Sequence, residues 1–232
     1  MTAHDTEFTR LARTRPATVT EVAQPRARHG HRLYRERIKR SLDVVLVLLS
    51  VPFVLPLIAI LAILVARDGG QPFYTQERIG KNGRVYRMWK LRSMVRDADA
   101  RLHAYLDQNE AMRAEWDSKQ KLIEDPRITR LGQVLRKTSL DEVPQLWNVL
   151  KGDMSIVGPR PMMVNQKAMY PGSDYYDLRP GITGAWQISD RNASTFAERA
   201  HFDKSYNETL SFGEDLRILG ATVRVVMKAT GH

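Results

Sequence analysis

The sequence predicts an α+β, mostly helical, membrane-associated protein with one N-terminal membrane helix, a short β-hairpin and surface-lying amphipathic helices. Three observations predict it. Val44 to Ala66 is a run of 23 residues without a formal charge, long enough at ~1.5 Å per residue to span a hydrocarbon core of ~30 Å. PFYTQERI and RVYRMWKL are short strand-like runs joined by KNG, whose Asn82-Gly83 pair is a hairpin signal. Most of the remaining chain repeats its apolar residues at helical spacing.

The 232 residues suit one domain with additions. Lys and Arg number 36 against 26 Asp and Glu, a formal charge of +10, so an anionic partner is expected: nucleic acid, phospholipid or a phosphorylated substrate. Cysteine is absent, which excludes disulfides and cysteine-ligated metal. The six histidines fall in no metal-ligand spacing.

Taken in order, residues 1–30 mix Thr, Pro, Arg and Ala without apolar periodicity and read as a mobile tail, with no secretory signal at the start. From His31 the chain turns basic through Arg32, Arg35, Arg37, Lys39 and Arg40, and then enters the apolar run. The hairpin follows and would hold Lys81, Arg84, Lys90 and Arg92 near the membrane surface. Arg96 to about Glu124 is expected to be mostly helical, with Trp116 packing on the Met112 side. Arg127 to Leu135 forms a short helix with Ile128, Leu131, Val134 and Leu135 on one side. In VPQLWNVLKG, Val143, Leu146, Trp147 and Leu150 recur at helical spacing and Gly152 is the C-cap. Met154 to Val157 is a short strand, and GITGAWQISDR is irregular. Phe196–Asn207 and Phe212–Thr230 are two further helices, the last one amphipathic.

Whether the apolar helix crosses the bilayer is a separate matter. Arg67, Arg78, Lys81, Arg84, Arg87, Lys90 and Arg92 after it match the basic run before it, so the positive-inside rule cannot easily place either flank outside. Pro56 near its middle, with Pro52 a turn earlier, predicts a bend. A re-entrant hairpin and a kinked single span both satisfy these facts.

The stretch TSLDEVPQLWNVLKGDMSIVGPRP carries the chemistry. Asp141 and Glu142 admit a structural reading: Ser139-x-x-Glu142 fits a capping box, or Asp141 caps a helix with Glu142 and Pro144 in its first turn. They equally admit a functional one, in which one carboxylate attacks phosphorus and the other binds an ion. Arg127, Arg130, Arg136 and Lys137 before the pair, and Arg160 inside GPRP after it, favour the second, because guanidinium groups bind phosphate with orientation as well as charge.

These motifs together resemble the bacterial sugar transferase family, the small monotopic phosphoglycosyl transferases, and most closely members that initiate exopolysaccharide synthesis. The resemblance is carried by KRSLDVVLVLLSVPFVLP, QPFYTQERIGKNGRVYRMWKLRSM, LRKTSLDEVPQLWNVLKGDMSIVGPRP and LRPGITGAWQISDR, which cover most of the chain from Lys39 onward. It implies transfer of a hexose 1-phosphate from a UDP-hexose to polyprenyl (undecaprenyl) phosphate with release of UMP, through a covalent aspartyl intermediate. Asp141 corresponds to the nucleophile and Glu142 to the Mg²⁺ ligand. Arg136 and Arg160 match the phosphate-binding arginines, and Lys90 and Arg92 match a KFR-type substrate-binding stretch. The implied fold is α+β: a mostly helical monotopic membrane protein whose N-terminal helix is re-entrant and breaks at Pro56. Here Leu55 stands where the family has serine, and GAWQ where it usually has GWAQ.

On that resemblance the chain divides into a flexible tail (1–30), the basic flank and re-entrant helix (31–67) and a cytoplasmic catalytic domain (68–232). It would sit on the cytoplasmic face of a bacterial inner membrane, against anionic phospholipid. Gln187, Asp190 and Arg191 are the expected place for nucleotide or sugar recognition. The sequence holds no nucleic-acid motif; a homo-oligomer is compatible with it and not required. The competing reading is a non-enzymatic membrane-anchored scaffold or anion-binding protein, in which the dyad is only a cap.

Overall fold

The computed structural model describes residues 32–67, 69–119, 122, 125–189 and 196–227; the expected tail, residues 1–30, lies outside them. Helix α1 (Lys39–Ala66) carries the whole apolar run and is continued N-terminally by a π-helical stretch, Tyr34–Ile38. Strands β1 (Phe73–Ile79) and β2 (Val85–Leu91) form the expected hairpin, from Phe73 opposite Leu91 to Ile79 opposite Val85. Asn82 and Gly83 both take positive φ, 58° and 74°, inside the Lys81–Gly83 turn, which the Gly80 amide closes by donating to the Arg84 carbonyl at 2.7 Å.

The expected helix from Arg96 is split. Helices α2 (Ala98–Gln108) and α3 (Glu110–Lys119) are separated by Asn109, whose extended backbone ends one and whose Oδ1 accepts from the Met112 amide to start the next. Trp116 packs with Met112 against Leu102, Leu106 and Leu122, as expected, and carries the Arg127 guanidinium over its ring. Helix α4 (Arg130–Thr138) is capped by Thr129, whose side chain accepts from the Gly132 amide. Helix α5 (Gln145–Lys151) ends at Gly152, φ 87°, as the spacing required.

The C-terminal third departs further from the sequence reading. GITGAWQISDR is not wholly irregular: β5 (Gly181–Thr183) pairs in parallel with β3 (Ser155–Val157). Glycine permits this, since a Cβ at Gly181 would stand 2.1 Å from the Gly158 nitrogen and one at Gly184 1.9 Å from the Gly158 oxygen. An unexpected strand β4 (Met162–Met163), directly after GPRP, adds to the free edge of β1, giving the order β2-β1-β4. Helices α6 (Asp174–Asp177), α7 (Arg199–Thr209) and α8 (Phe212–Met227) complete the described chain.

Both ends of α1 are fastened to this one body. Near its start, Tyr34 OH and Lys39 Nζ each donate to Asp215 at 2.7 Å, Arg40 donates to the carbonyls of Val149 and Leu150, and Asp43 accepts from Ser155 Oγ at 2.6 Å. Near its end, Leu61 and Val65 pack on Leu91 and Leu135. Between these anchors Leu48, Leu49, Phe53, Leu55, Ile60 and Ile63 face outward, Phe53 at 80% exposure. The backbone stays helical through Pro52 and Pro56, so no non-helical residue interrupts α1 at the position where the bend is expected. Proline's fixed φ is itself helical, which lets the helix continue past the two missing donors.

Candidate active site

Helix α4 stops because Ser139 turns left-handed, φ 57°, and its amide closes on the Arg136 carbonyl at 3.1 Å. Leu140–Glu142 is then a single 3₁₀ turn, and α5 starts only at Gln145, with Pro144 as its N-cap and no side chain capping it. Both structural readings of the dyad therefore fail. Ser139 heads no capping box, and Asp141 caps nothing. The helix does not need these carboxylates.

They are gathered instead around one lysine. Lys90, on β2, places Nζ 2.7 Å from Glu142 Oε1 and 3.7 Å from Asp141 Oδ2. Asp141 is 7% exposed, and this burial raises its pKa above the ordinary carboxylate range. Lys90 and Arg136 pull it back, and the Glu142 charge adds to the rise. Burial works against the Lys90 ammonium, yet Glu142 and then Asp141 keep its pKa raised, so it stays protonated. Arg136, in the last turn of α4, is oriented by donating from Nε to Ser93 Oγ at 2.8 Å. The result is a buried carboxylate between two cations, with a second carboxylate sharing the first of them.

Replacing Lys90 tests this arrangement. Lys90→Met is expected to lower kcat/KM about 10²-fold, the scale of losing one preorganised charge. Because the ammonium depresses the Asp141 pKa, its removal also moves the acid limb of the pH–rate profile to higher pH. Rates of product formation across pH 5–8 check both.

The depth of the site depends on Gly132. Its α-carbon abuts Ser93, two residues past the end of β2, so closely that a Cβ would lie 1.8 Å from the Ser93 carbonyl oxygen. Gly132→Ala is therefore expected to lose about 1–3 kcal/mol by overpacking and to pull Arg136 from Ser93. Thermal unfolding and activity should fall together.

The remaining expected residues do not all join the dyad. Arg92 turns to the end of α1, donating to the carbonyls of Gln71 at 2.8 Å and Val65 at 3.0 Å; pairing it with Lys90 as a substrate ligand is not what the geometry displays. Arg127 forms a two-point ion pair with Asp125. Arg160 lies in the turn between β3 and β4, its guanidinium 5.4 Å from the Trp186 ring centre. Gln187 is buried beside it in sequence, while Asp190 and Arg191 lie outside the described residues. The register sets the separation: Lys90 faces Tyr74, whereas β4 pairs Met163 with Arg78. Four strand residues at ~3.3 Å each put about 13 Å between the two groups.

An apolar cleft of ≈ 330 Å³ opens on the Lys90 end. The α1 face from Val47 to Ile58 forms one wall, the α5 side from Val143 to Leu150 the other, and Phe73 and Trp89 the floor. Val143 and Pro144, which follow the dyad directly, belong to its lining. Sequence periodicity marked Leu146, Trp147 and Leu150 as helix-packing residues but could not say that α1 would leave a gap beside them. Asn148, fully buried, was also missed: its side chain accepts from the Trp89 amide at 3.0 Å and donates to the Arg87 carbonyl at 2.7 Å.

The family model for bacterial sugar transferases matches residues 34–229. The chain belongs to the bacterial sugar transferase family. Among its relatives, the UDP-galactose-lipid carrier transferase of Erwinia amylovora is 44% identical over 215 residues, covering 92% of this chain and 44% of that protein. The undecaprenyl-phosphate galactose phosphotransferase of Salmonella typhimurium is 42% identical over 196 residues, 84% of this chain and 41% of its own. The exopolysaccharide production protein ExoY of Sinorhizobium fredii is 41% identical over 196 residues, covering 83% of this chain and 87% of itself. The chain thus spans less than half of the first two relatives and most of the third. The sugar transferase match begins at Tyr34, where the long helix begins, so α1 is part of the family's conserved unit and not an appended anchor.

Among the described residues, no three His, Asp or Glu side chains group closely enough to hold a metal ion by themselves. Two adjacent carboxylates do suit Mg²⁺, which keeps waters and takes one or two protein carboxylates together with substrate phosphates. One oxygen of Glu142 already meets Lys90, so the donor set fits the ion only when a phosphorylated substrate completes it.

Proposed function

We propose that this chain transfers a hexose 1-phosphate from a UDP-sugar to polyprenyl phosphate and releases UMP, through an aspartyl phosphosugar on Asp141, as the first membrane step of exopolysaccharide assembly. The observation that carries the reading is the position of Asp141: buried, capping no helix, flanked by Lys90 and Arg136, and two residues before Val143 in the lining of the apolar cleft.

In the first step an Asp141 carboxylate oxygen attacks the phosphorus that bears the sugar. The phosphoanhydride bond breaks, and its electrons leave with UMP. In the second, an oxygen of polyprenyl phosphate attacks the same phosphorus, the acyl phosphate bond breaks, and Asp141 is regenerated as a carboxylate. Lys90 and Arg136 face the phosphoryl oxygens in both steps, where preorganised charge lowers the barrier. Mg²⁺ held by Glu142 and the diphosphate would add Lewis-acid neutralisation of the phosphoryl charge. The raised Asp141 pKa keeps the nucleophile basic, and burial strips water from it.

The cleft supports the acceptor assignment. A polyprenyl phosphate must keep its tail in an apolar phase while its head reaches the dyad, and the α1–α5 cleft meets the site at Val143 and Pro144. Membrane attachment follows the same logic. With both ends of α1 held by one domain, the helix cannot carry its flanks to opposite sides of a bilayer, and we place it within the cytoplasmic leaflet. Phe212, Leu216, Val223 and Val226 form one exposed apolar stripe on α8, and Phe212 meets Tyr34 edge-on at 6.2 Å, joining the two greasy faces.

The test is UMP release by the purified chain given Mg²⁺, undecaprenyl phosphate and a panel of UDP-sugars. UDP-galactose comes first, because the names of two relatives carry galactose. No release with any donor, from a protein shown to be folded, would leave the scaffold reading standing.

A further inference from the structure

The second basic group holds an unexplained charge. Arg78, on β1, donates from Nη2 to Gln76 Oε1 at 2.6 Å, but its Nε is buried with no partner. Burial and then the nearby Arg160 charge lower its pKa, and the groups that raise it are the tyrosines Tyr86, Tyr74 and Tyr175. Arg160 and Arg199 flank Trp186, at 5.4 and 5.1 Å from its ring centre, and Arg199 Nη2 is fixed by donating to the Arg160 carbonyl at 2.7 Å. Arg199 is 7% exposed, and burial followed by Arg160 brings its pKa down to about 10. Asp203, the acid that draws the Arg199 pKa back up, accepts from Tyr170 OH at 2.8 Å. Three guanidinium groups thus stand together, with Asp203 acting on Arg199. Burying charge without a counterion is expensive, and a guanidinium fork is the protein's best phosphate ligand.

We propose that Arg78, Arg160 and Arg199 form a second anion site, and that it takes the nucleotide end of the donor, with the phosphate that departs in UMP. The inference rests on the phosphoryl transfer proposed above and assigns Arg78 and Arg199 a role in it. Two observations select the nucleotide over the lipid phosphate. First, the acceptor is tied to the apolar cleft, which meets the hairpin at Phe73 and Trp89, the Lys90 end; the arginines stand at the Arg78 end, past Tyr74 and Gln76 along β1. The water-soluble substrate therefore lies along that row of side chains, its sugar phosphate at Asp141 and its nucleoside toward Arg160. Second, Gln187, next to Trp186, leaves Oε1 buried without a donor, close to where a Cβ on Gly184 would stand. A ligand that satisfies both vacancies must offer anionic oxygens and an N–H. A uridine nucleotide has both, and a polyprenyl phosphate has no N–H.

Arg78→Gln separates the possibilities, with Arg78→Lys as the variant that keeps charge but not the fork. Using the full chain in lipid nanodiscs, calorimetry measures UMP binding without turnover, and UMP release gives KM for UDP-galactose and for undecaprenyl phosphate. The expected result is at least tenfold weaker UMP binding and a similar rise in donor KM for Arg78→Gln, a smaller effect for Arg78→Lys, and acceptor KM within twofold of wild type. A rise in acceptor KM with UMP binding unchanged would overturn the assignment. So would unchanged UMP binding in a variant whose only defect is a lower Tm. Should the wild-type chain bind UMP through Arg78 yet release none from any UDP-sugar, the catalytic reading would fail while this site stood.

Discussion

Asp141→Asn is expected to abolish sugar phosphate transfer, by at least about 10⁴-fold, and to abolish with it any covalent phosphosugar adduct on the protein. The amide has the shape of the carboxylate but no lone pair basic enough to attack phosphorus. The fold should tolerate it. Burial holds the Asp141 pKa above its unfolded value, so in the range above the ordinary carboxylate pKa the ionised group weakens the native state as pH rises, and a neutral isostere removes that penalty. Thermal stability at pH 7.5 should accordingly equal or exceed wild type while activity is lost. Intact-protein mass spectrometry after incubation with UDP-galactose, without acceptor, looks for the added hexose phosphate directly. Transfer by the Asn variant near the wild-type rate would remove Asp141 as nucleophile, and with it the proposed mechanism.

Asn148→Leu is the second large effect expected, on folding. Strand β2 is an edge strand in the order β2-β1-β4, and its outward Trp89 N–H and Arg87 carbonyl are satisfied by the Asn148 side chain, which itself is fully buried. Nδ2 also reaches Asp153 Oδ2 at 3.2 Å. Leucine fills a similar volume and supplies none of these bonds. Two part-buried backbone groups left unpaired beside a fully buried side chain, at about 1–3 kcal/mol each, give a loss of roughly 2–4 kcal/mol, a large share of the stability of an ordinary domain. Lys90 is the next residue after Trp89, so movement of this edge also withdraws Nζ from the dyad. Denaturant unfolding should show the loss, and a change below about 1 kcal/mol would mean that water replaces the amide and that the edge is less enclosed than its burial indicates.

What could be read directly from the chain was whatever depends on neighbours along it. Asn82-Gly83 specifies its turn because both residues tolerate positive φ. Gly152 ends α5 for the same reason, and the uncharged run from Val44 to Ala66 makes one helix whatever surrounds it. The dyad was visible as a pair of carboxylates in a basic setting. Resemblance, not periodicity, chose between cap and catalyst.

The structure removes the cap reading by where two helices stop and start. Ser139 in a left-handed conformation and Pro144 at the start of α5 leave Asp141 and Glu142 on a turn no cap requires, and no local propensity specifies that geometry. Tertiary contacts alone separated Lys90 from Arg92, two residues apart yet turned to the dyad and to the end of α1. They also joined Arg78 to Arg160, because β4 pairs with β1 across more than eighty residues. Sequence by itself determined the elements and their polarity, since backbone preference and side-chain hydrophobicity act over a few residues. Which charges share a site was decided by strand pairing and helix docking, where burial removes the water that would otherwise keep them apart.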